Sequence, residues 1–434
     1  LHAIEHGEGE IAQLGHVIAD AIVNRHLETM WRLGIAYDVL PRESEILHLQ
    51  FWATAYEQLK ERQAIYKVDE GKNKGCWVMA ASHFREDTTG EEGDDDAKVI
   101  VRSNGTVTYV GKDIAYQMWK FGLLGKDFHY KPLKTYPNGH VAWVATDEAY
   151  DGNAPAFGKG TEVYNVIDSR QSYLQDVVVA GLRALKYEEQ ADKSIHFSYE
   201  MVALSPRTCV ELGIPLSEED SKKTYVEVSG RKGLGVKADD LIDKLIEKAR
   251  AEVDMRHKDK PEADRAEVAQ RIAVGALRYF MLKFTRNTVI AFDLQEALSF
   301  EGETGPYVQY AAVRARNIFR KLEERGEKMP DFASVLTREA FDRQLAFEPF
   351  WQLLLSAMKL DKALASALGS GEPGHMAKFG FTLAQAFNTF YHDYPILKEE
   401  DPEKRVFLMW LADYFRRQLE ATLDVLGVQA PDYM

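Results

Sequence analysis

Apolar side chains recur every three or four positions along several stretches of the chain, which is the spacing of one face of an α-helix. Over residues 11–33 the recurring residues are Ile11, Leu14, Val17, Ile18, Ile22, Met30 and Leu33. The same spacing predicts helices over residues 44–61, 113–121, 171–185, 238–253 and 267–284. From residue 304 to the end the periodic stretches are all helical, which predicts an all-helical bundle with a break and a new helix near Gly302 and Pro306.

Short runs of β-branched and aromatic residues predict strands between the earlier helices. Residues 99–110 hold two such runs around Asn104-Gly105, a hairpin signal, and further strands are predicted over residues 141–145 and 162–167. Strands that alternate with helices indicate an α/β domain with a mostly parallel sheet. In such sheets ligands bind beyond the carboxyl ends of strands, which is where residues 168–171 are expected.

Composition narrows the class of protein. A hydrophobic content of 45% and a charged content of 28% are typical of a globular protein, and no apolar run is long enough to cross a bilayer, so a cytoplasmic location is expected. Cys76 and Cys209 lack metal-type spacing, and no metal site is predicted. The net charge of −14 does not favour nucleic-acid binding, although a local basic face is enough for it.

The segment 226–237 combines glycines and cations in a way that suits neither helix nor strand. Gly230, Gly233 and Gly235 allow the backbone to approach an anion, and Arg231 and Lys232 supply positive charge. A helix predicted to begin at residue 238 adds its positive N-terminus. The segment is therefore either a phosphate-binding loop or a solvated basic turn.

Tyr109 and Asp113 are the first candidates for binding a cationic ligand. A carboxylate beside a phenol can hold a cation through a charge-assisted hydrogen bond, but Asp113 is also placed to cap the helix predicted over residues 113–121. Gln171 follows a predicted strand, where its amide either contacts a ligand or caps a helix. His196 is predicted on a strand, facing the site or belonging to the core or rim.

The first helix of the bundle carries cations beside its apolar stripe. Arg314, Arg316 and Arg320 are mainly off that stripe, and Tyr307 and Tyr310 are expected to be exposed beside them. Such a face can bind RNA phosphates and stack on bases, or it is an ordinary solvated face. The stripe of the last helix predicts core packing and consists of Leu408, Leu411, Phe415, Leu419, Leu423 and Leu426.

Four segments, in order, closely resemble segments of arginyl-tRNA synthetases, which are class I aminoacyl-tRNA synthetases. They are residues 103–116, 164–171, 229–233 and 300–310, and the likeness extends to the tail, 423–434. The resemblance implies an α/β Rossmann-type catalytic domain, incomplete at its N-terminus, followed by an all-α anticodon-binding bundle. The catalytic part is expected over residues 1–290, with a helical insertion at 1–65 and a KMSKS-like loop at 227–235, and the bundle over 291–434.

The resemblance also implies an activity, ATP-dependent activation of L-arginine to arginyl-adenylate and its transfer to the 3′ end of tRNA(Arg). Tyr109, Asp113 and Gln171 match the family's arginine-binding positions. The loop matches the family's KMSKS loop, with an ATP-binding set and a catalytic set. These are Val228, Ser229, Gly230 and Gly233 for ATP, and Ser229, Arg231 and Lys232 for catalysis. Tyr307, Arg314, Arg316 and Arg320 are the expected tRNA-binding residues. ATP is expected to act with Mg²⁺, and the protein to be a monomer.

Two departures from the family pattern stand out. Glu227 and Gly230 occupy the places of the two signature lysines, for which Arg231 or Lys232 is expected to substitute. No HIGH motif on a strand–helix turn is present, since the tetrapeptide at residues 13–16 falls within a predicted helix. This chain alone is therefore expected to be inactive. The alternative is a non-catalytic tRNA-binding or regulatory relative, and the sequence upstream of Leu1 would distinguish the two.

Overall fold

The computed structural model describes residues 9–42, 51–80, 97–146, 149–150, 152–228 and 235–434. The chain forms two compact units, Leu1–Tyr199 and Glu200–Met434. The predicted boundary between residues 290 and 291, which separates a catalytic part from an anticodon-binding bundle, stays a prediction. Within the described residues, no helix combines the length and apolarity that a bilayer crossing requires.

The first unit mixes helices and short strands. Its described helices are α1 (Gly9–Arg32), α2 (Phe51–Glu61), α3 (Tyr109–Lys120), α4 (Ser172–Ala184) and α5 (Glu188–Asp192). Its described strands are β1 (Val39–Leu40), β2 (Tyr66–Lys67), β3 (Trp77–Met79), β4 (Lys98–Val101), β5 (His129–Thr135), β6 (Val141–Thr146), β7 (Val163–Asp168) and β8 (Ser194–Tyr199).

These strands form three small sheets rather than the mostly parallel sheet that was predicted. β1 pairs with β6 in parallel, and β5 pairs with β6 in antiparallel fashion. β2, β3 and β4 form an antiparallel sheet. β7 and β8 are parallel, in a register that runs from Val163 opposite Ser194 to Asp168 opposite Tyr199. This last pair carries the strand that ends at the candidate site.

The predicted hairpin over residues 99–110 is a turn with only one bridge beyond it. Gly105 makes the turn at a positive φ of 84°, a conformation that glycine adopts without steric cost, and Val101 then pairs with Val107. The Thr108 hydroxyl donates to the carbonyls of Val99 and Ile100, at 3.1 and 3.0 Å. These bonds hold the chain as it enters α3, so no second strand develops.

Helix α1 was predicted correctly, but its apolar stripe does not face the core of the unit. Ala12 and Leu27 are its buried residues. The exposed ones are Ile11, Leu14, Val17, Ile18 and Ile22, each about half exposed or more. The tetrapeptide at residues 13–16 lies within this helix, as expected.

Helix α3 is the central element of the first unit's core. Its buried residues include Ile114, Ala115 and Met118, which belong to the same apolar cluster as Phe51 of α2 and Val177 of α4. α3 approaches α4 closely, because a Cβ built at Gly181 would lie 3.0 Å from the Ile114 side chain. This packing fixes the helix that carries the candidate residues.

The second unit is almost entirely helical. Its described helices are α6 (Pro206–Glu211), α7 (Ala238–Arg256), α8 (Glu262–Leu282), α9 (Leu294–Ala297), α10 (Gly305–Glu324), α11 (Phe332–Val335), α12 (Arg338–Leu345), α13 (Glu348–Ala357), α14 (Leu360–Ser370), α15 (Gly374–Asp393) and α16 (Pro402–Val425). Its described strands, β9 (Val202–Leu204) and β10 (Ile290–Phe292), are parallel neighbours.

The joint before the bundle lies where the sequence predicts it. Gly302 has a positive φ of 78°, and the Thr304 hydroxyl caps α10 by accepting from the Tyr307 backbone N–H at 3.3 Å. Pro306 lies in the first turn of α10, where its missing N–H has no helical partner to lose. The stripe of the last helix is buried as predicted, from Leu408 to Leu426.

Helices α8 and α10 meet at two glycines. A Cβ built at Gly305 would lie 2.5 Å from the Gly275 carbonyl oxygen, which is backbone and cannot move aside. Next to this contact, the fully buried Gln309 amide donates to the carbonyls of Arg271 and Gln429, at 3.0 and 2.7 Å. One side chain therefore ties α10 both to α8 and to the C-terminal tail.

Candidate active site

Helix α3 begins four residues earlier than the sequence predicts. Its first residue is Tyr109 and its N-cap is Thr108, so Asp113 lies inside the helix and the capping interpretation of Asp113 is wrong. Tyr109 and Asp113 are one helical turn apart, which brings them onto one face. Both are exposed, Tyr109 at 75%. This face offers a carboxylate and a phenol to a ligand.

Gln171 lies in the turn that joins β7 to α4. Residues Ser169–Gln171 form a short 3₁₀ turn, and Gln171 occupies the N-cap position of α4. Its side chain makes no capping hydrogen bond, so the capping interpretation is wrong here as well. The exposed Gln171 amide is therefore not used to begin the helix.

Asp168 and Arg170 form an ion pair beside Gln171. Asp168 accepts from Arg170 Nε at 2.9 Å and Nη2 at 2.7 Å, and from the Arg170 backbone N–H at 2.9 Å. These hydrogen bonds lower the pKa of Asp168 to about 2. The carboxylate at the end of β7 is thus ionised and already paired. The pair lies in the segment 168–171, which the sequence places at the ligand-binding end of a strand, but neither residue is among the predicted site residues. An acid and an arginine two residues apart at a strand end were the available signal.

The elements that carry these residues are packed on one another. α3 contacts α4 at Ile114 and Gly181, and Lys120 Nζ donates to Asn165 Oδ1 of β7 at 2.8 Å. His196 of β8 has Nε2 3.0 Å from the carbonyl oxygen of Ile167. His196 is therefore partly buried in the strand pair, which supports its interpretation as a core or rim residue.

The segment that leads into the glycine-rich loop is anchored to β9. Val226 and Leu204 exchange backbone hydrogen bonds of 2.8 and 3.1 Å, and Val228 follows, half-buried. The predicted loop residues Ser229, Gly230, Arg231, Lys232 and Gly233 lie outside the described residues. Beyond them α7 begins at Ala238, as predicted, with two acidic residues in its first turn.

The aromatic residues of α10 are less exposed than predicted. Tyr307 and Tyr310 are both half-buried. Tyr307 packs on Phe381, with ring centroids 5.3 Å apart. The Arg314 guanidinium lies 4.5 Å from the centroid of Tyr310. The expectation of freely exposed rings on this helix is therefore wrong.

The three predicted tRNA-binding arginines differ in their surroundings. Arg314 donates to Asn388 Oδ1 at 2.7 Å, and Arg316 Nε lies 2.6 Å from Glu420 Oε1. Arg320 faces Glu324 at 3.6 Å, with half of its side chain exposed. Of these three cations, Arg320 is the most accessible to a phosphate.

Comparison with known proteins places this architecture. Residues 308–434 match the DALR anticodon binding domain. The chain is 32% identical over 435 residues to the arginine–tRNA ligase of Thermococcus kodakarensis, covering 99% of the chain and 63% of that protein. It is 34% identical over 441 residues to the arginine–tRNA ligase of Thermus thermophilus, covering all of the chain and 66% of that protein.

A solved structure matches as well. The Thermus thermophilus arginyl-tRNA synthetase structure superposes with a TM-score of 0.77 at 30% identity, covering all of this chain and 65% of that one. An α/β region followed by an all-α anticodon-binding bundle is the architecture of a class I aminoacyl-tRNA synthetase. The chain belongs to the arginyl-tRNA synthetase family. It spans less than two thirds of the length of the relatives named here.

Proposed function

We propose that the protein is an arginine–tRNA ligase. An arginine carboxylate oxygen attacks the α-phosphorus of ATP and pyrophosphate leaves. A ribose hydroxyl at the 3′ end of tRNA(Arg) then attacks the carbonyl carbon of the adenylate, and AMP leaves. The observation that carries the proposal is the exposed pair of Tyr109 and Asp113 on one face of α3, in a chain of this family.

The residues of α3 supply recognition of the substrate. The Asp113 carboxylate accepts two parallel N–H bonds from the arginine guanidinium, a geometry that distinguishes arginine from lysine. Tyr109 and Gln171 orient the guanidinium and the side chain. The chemistry then depends on positioning and on stabilising the charge of the transferring groups, which is the role proposed for Ser229, Arg231 and Lys232.

ATP and Mg²⁺ belong to the same proposal. Among the described residues, no group of three or more His, Cys, Asp or Glu side chains is placed to hold a metal ion. Mg²⁺ commonly reaches such sites bound to substrate phosphates. Mg²⁺ is therefore proposed to arrive with the phosphates of ATP.

Arginine binding tests the proposal directly. Asp113→Asn removes a charge-assisted hydrogen-bond pair, so the dissociation constant for L-arginine should rise roughly 10- to 150-fold. Calorimetric titration of the native protein measures it. Asp192→Asn is the matched control, since Asp192 is an exposed surface aspartate paired with Arg183. An unchanged affinity in Asp113→Asn would refute the assigned role.

A second candidate function is binding of tRNA without activation of arginine. Glu227 and Gly230, in place of the signature lysines, favour it. Pyrophosphate exchange and arginylation by the native protein, with tRNA(Arg) present, separate the two. Salt-sensitive tRNA binding with neither reaction would establish the non-catalytic relative.

A further inference from the structure

Lys120 places a positive charge between the helix and the strand of the candidate site. It is the last residue of α3, two turns beyond Asp113. Its Nζ donates to Asn165 Oδ1 of β7 at 2.8 Å and lies 4.6 Å from the ring centroid of Tyr116. Asn165 is 8% exposed. The ammonium is therefore held by one buried amide and one aromatic face.

The Tyr116 ring beneath the ammonium is itself packed on a neighbouring side chain. Tyr116 stacks on Trp119 with centroids 5.3 Å apart and planes 4° from parallel. Trp119 in turn donates from Nε1 to Asp127 at 2.8 Å. The ring that receives the ammonium is thus packed on Trp119, which Asp127 holds in turn.

Burial of this charge works against folding. Burial lowers the pKa of Lys120 from its usual 10.5 to about 8, against the attraction of Asp113. A group whose neutral form is favoured by the fold costs stability while it is charged. A methionine would fill similar space without that cost. Burial by itself therefore does not favour a cation at this position.

The bond to Asn165 does connect the two parts of the proposed arginine site. α3 carries Tyr109 and Asp113, and β7 leads directly to the turn with Gln171. α3 also reaches the neighbouring strand, where Gln117 donates to Ser194 Oγ at 2.5 Å. Of the two bonds, the one made by Lys120 joins the helix of Asp113 to the strand that precedes Gln171.

We propose that Lys120 is a positioning residue for arginine: through Asn165 it fixes helix α3 on strand β7 and so sets the placement of Asp113 relative to Gln171. This inference rests on the function proposed above. A small displacement of one binding group relative to another weakens a geometrically demanding contact strongly. A bidentate guanidinium pair is such a contact.

The test compares arginine affinity with stability in the native protein. Lys120→Met and Asn165→Leu should each weaken L-arginine binding by about tenfold. This is the effect of losing one charge-assisted hydrogen bond between Asp113 and the guanidinium when α3 is displaced. The double variant should be no weaker than either single one, because both remove the same bond. The thermal midpoint of Lys120→Met should stay close to that of the wild type, because relief of the desolvation cost offsets the lost hydrogen bond to Asn165. Lys120→Arg, which keeps the cation and the donors, should recover most of the affinity.

Lys193→Met is the matched control, since Lys193 is a half-exposed lysine directly before β8, paired with Glu162 at 3.3 Å. Its arginine affinity should equal that of the wild type. Unchanged affinity in Lys120→Met, additive losses in the double variant, or parallel losses of affinity and thermal midpoint would each overturn the inference. A wild-type protein that does not bind L-arginine would overturn the proposed function itself. That outcome is seen with the wild type alone, before any variant is measured.

Discussion

At the scale of single residues, Arg170 determines the ionisation of Asp168 at the end of β7. The guanidinium and the backbone N–H of Arg170 both donate to this carboxylate, and they lower its pKa from 3.8 to about 2. Because the pKa of the folded state lies below the ordinary value, the stabilisation is complete above that value. It is lost as the pH falls towards 2.

The lowered pKa of Asp168 gives a prediction for Asp168→Asn. The free energy of unfolding of the variant should be lower than that of the wild type at pH 7. The difference should shrink as the pH is lowered below 4, because protonation removes the same charge from the wild type. Denaturant unfolding between pH 7 and pH 3 measures it. A difference that does not depend on pH would show that the ion pair contributes nothing.

Sequence spacing predicts some of these residues and not others. Tyr109 and Asp113 are recognisable because a separation of four residues places them on one helical face. The pairing of Arg316 with Glu420 joins residues 104 positions apart, which no local pattern reveals. Lys120 lies seven residues after Asp113, a spacing that also returns to the same face, but its partner Asn165 is 45 positions away.

At the scale of elements, the start of α3 shows where local propensity fails. Tyr109 and Val110 extend a β-branched run, so the pattern predicts a strand to residue 110 and a helix from Asp113. The structure instead begins the helix at Tyr109. The bonds from Thr108 to Val99 and Ile100 bring the chain back onto β4 one turn earlier, a tertiary constraint absent from the periodicity.

In helix α16 a buried aspartate is paired with two arginines of the same helix. The Asp413 side chain is 1% exposed and accepts from Arg416 Nη2 at 2.6 Å and Arg417 Nε at 2.7 Å. Asp413→Ala removes the shared buried partner of two arginines that are themselves partly exposed, so it should cost roughly 1.5–3 kcal/mol of unfolding free energy. Asp424→Ala, at an exposed position of the same helix, should stay within about 0.5 kcal/mol of the wild type.

Denaturant unfolding followed by circular dichroism measures both variants. A small loss in Asp413→Ala, similar to that of its control, would mean that Arg416 finds enough compensation from Glu420 at 2.9 Å.

At the scale of the whole molecule, the proposed tRNA contact predicts a salt dependence. Arg320 is half exposed, whereas Arg314 and Arg316 are engaged with Asn388 and Glu420. Arg320→Gln should weaken tRNA(Arg) binding and reduce the slope of log affinity against log salt by roughly 0.7 to 0.9, the loss of one phosphate contact. Filter binding across a salt series measures it. Arg338→Gln, at another exposed arginine of the second unit, is the control and should leave the slope unchanged.

The sequence predicts the helices of the second unit better than it predicts how the strands of the first unit pair. The helical second half and the buried stripe of α16 follow from three- and four-residue spacing, which a long helix repeats many times. The strands of the first unit are short, from two to seven residues, so each offers too little alternation to define its partner. The resemblance to the family supplied what periodicity could not, namely which exposed residues are proposed to form a site.

The contact between Gly275 and Gly305 restricts how this family member can change over evolutionary time. Single-base changes in a glycine codon introduce residues that carry a Cβ, and at Gly305 that atom meets backbone 2.5 Å away. Gly302, three residues earlier, has open space around it and is constrained only by its φ of 78°, which aspartate, one base change from a glycine codon, tolerates. A single-base substitution can therefore be accommodated at position 302 but not at position 305. A sequence comparison alone would show only two glycines in the same turn.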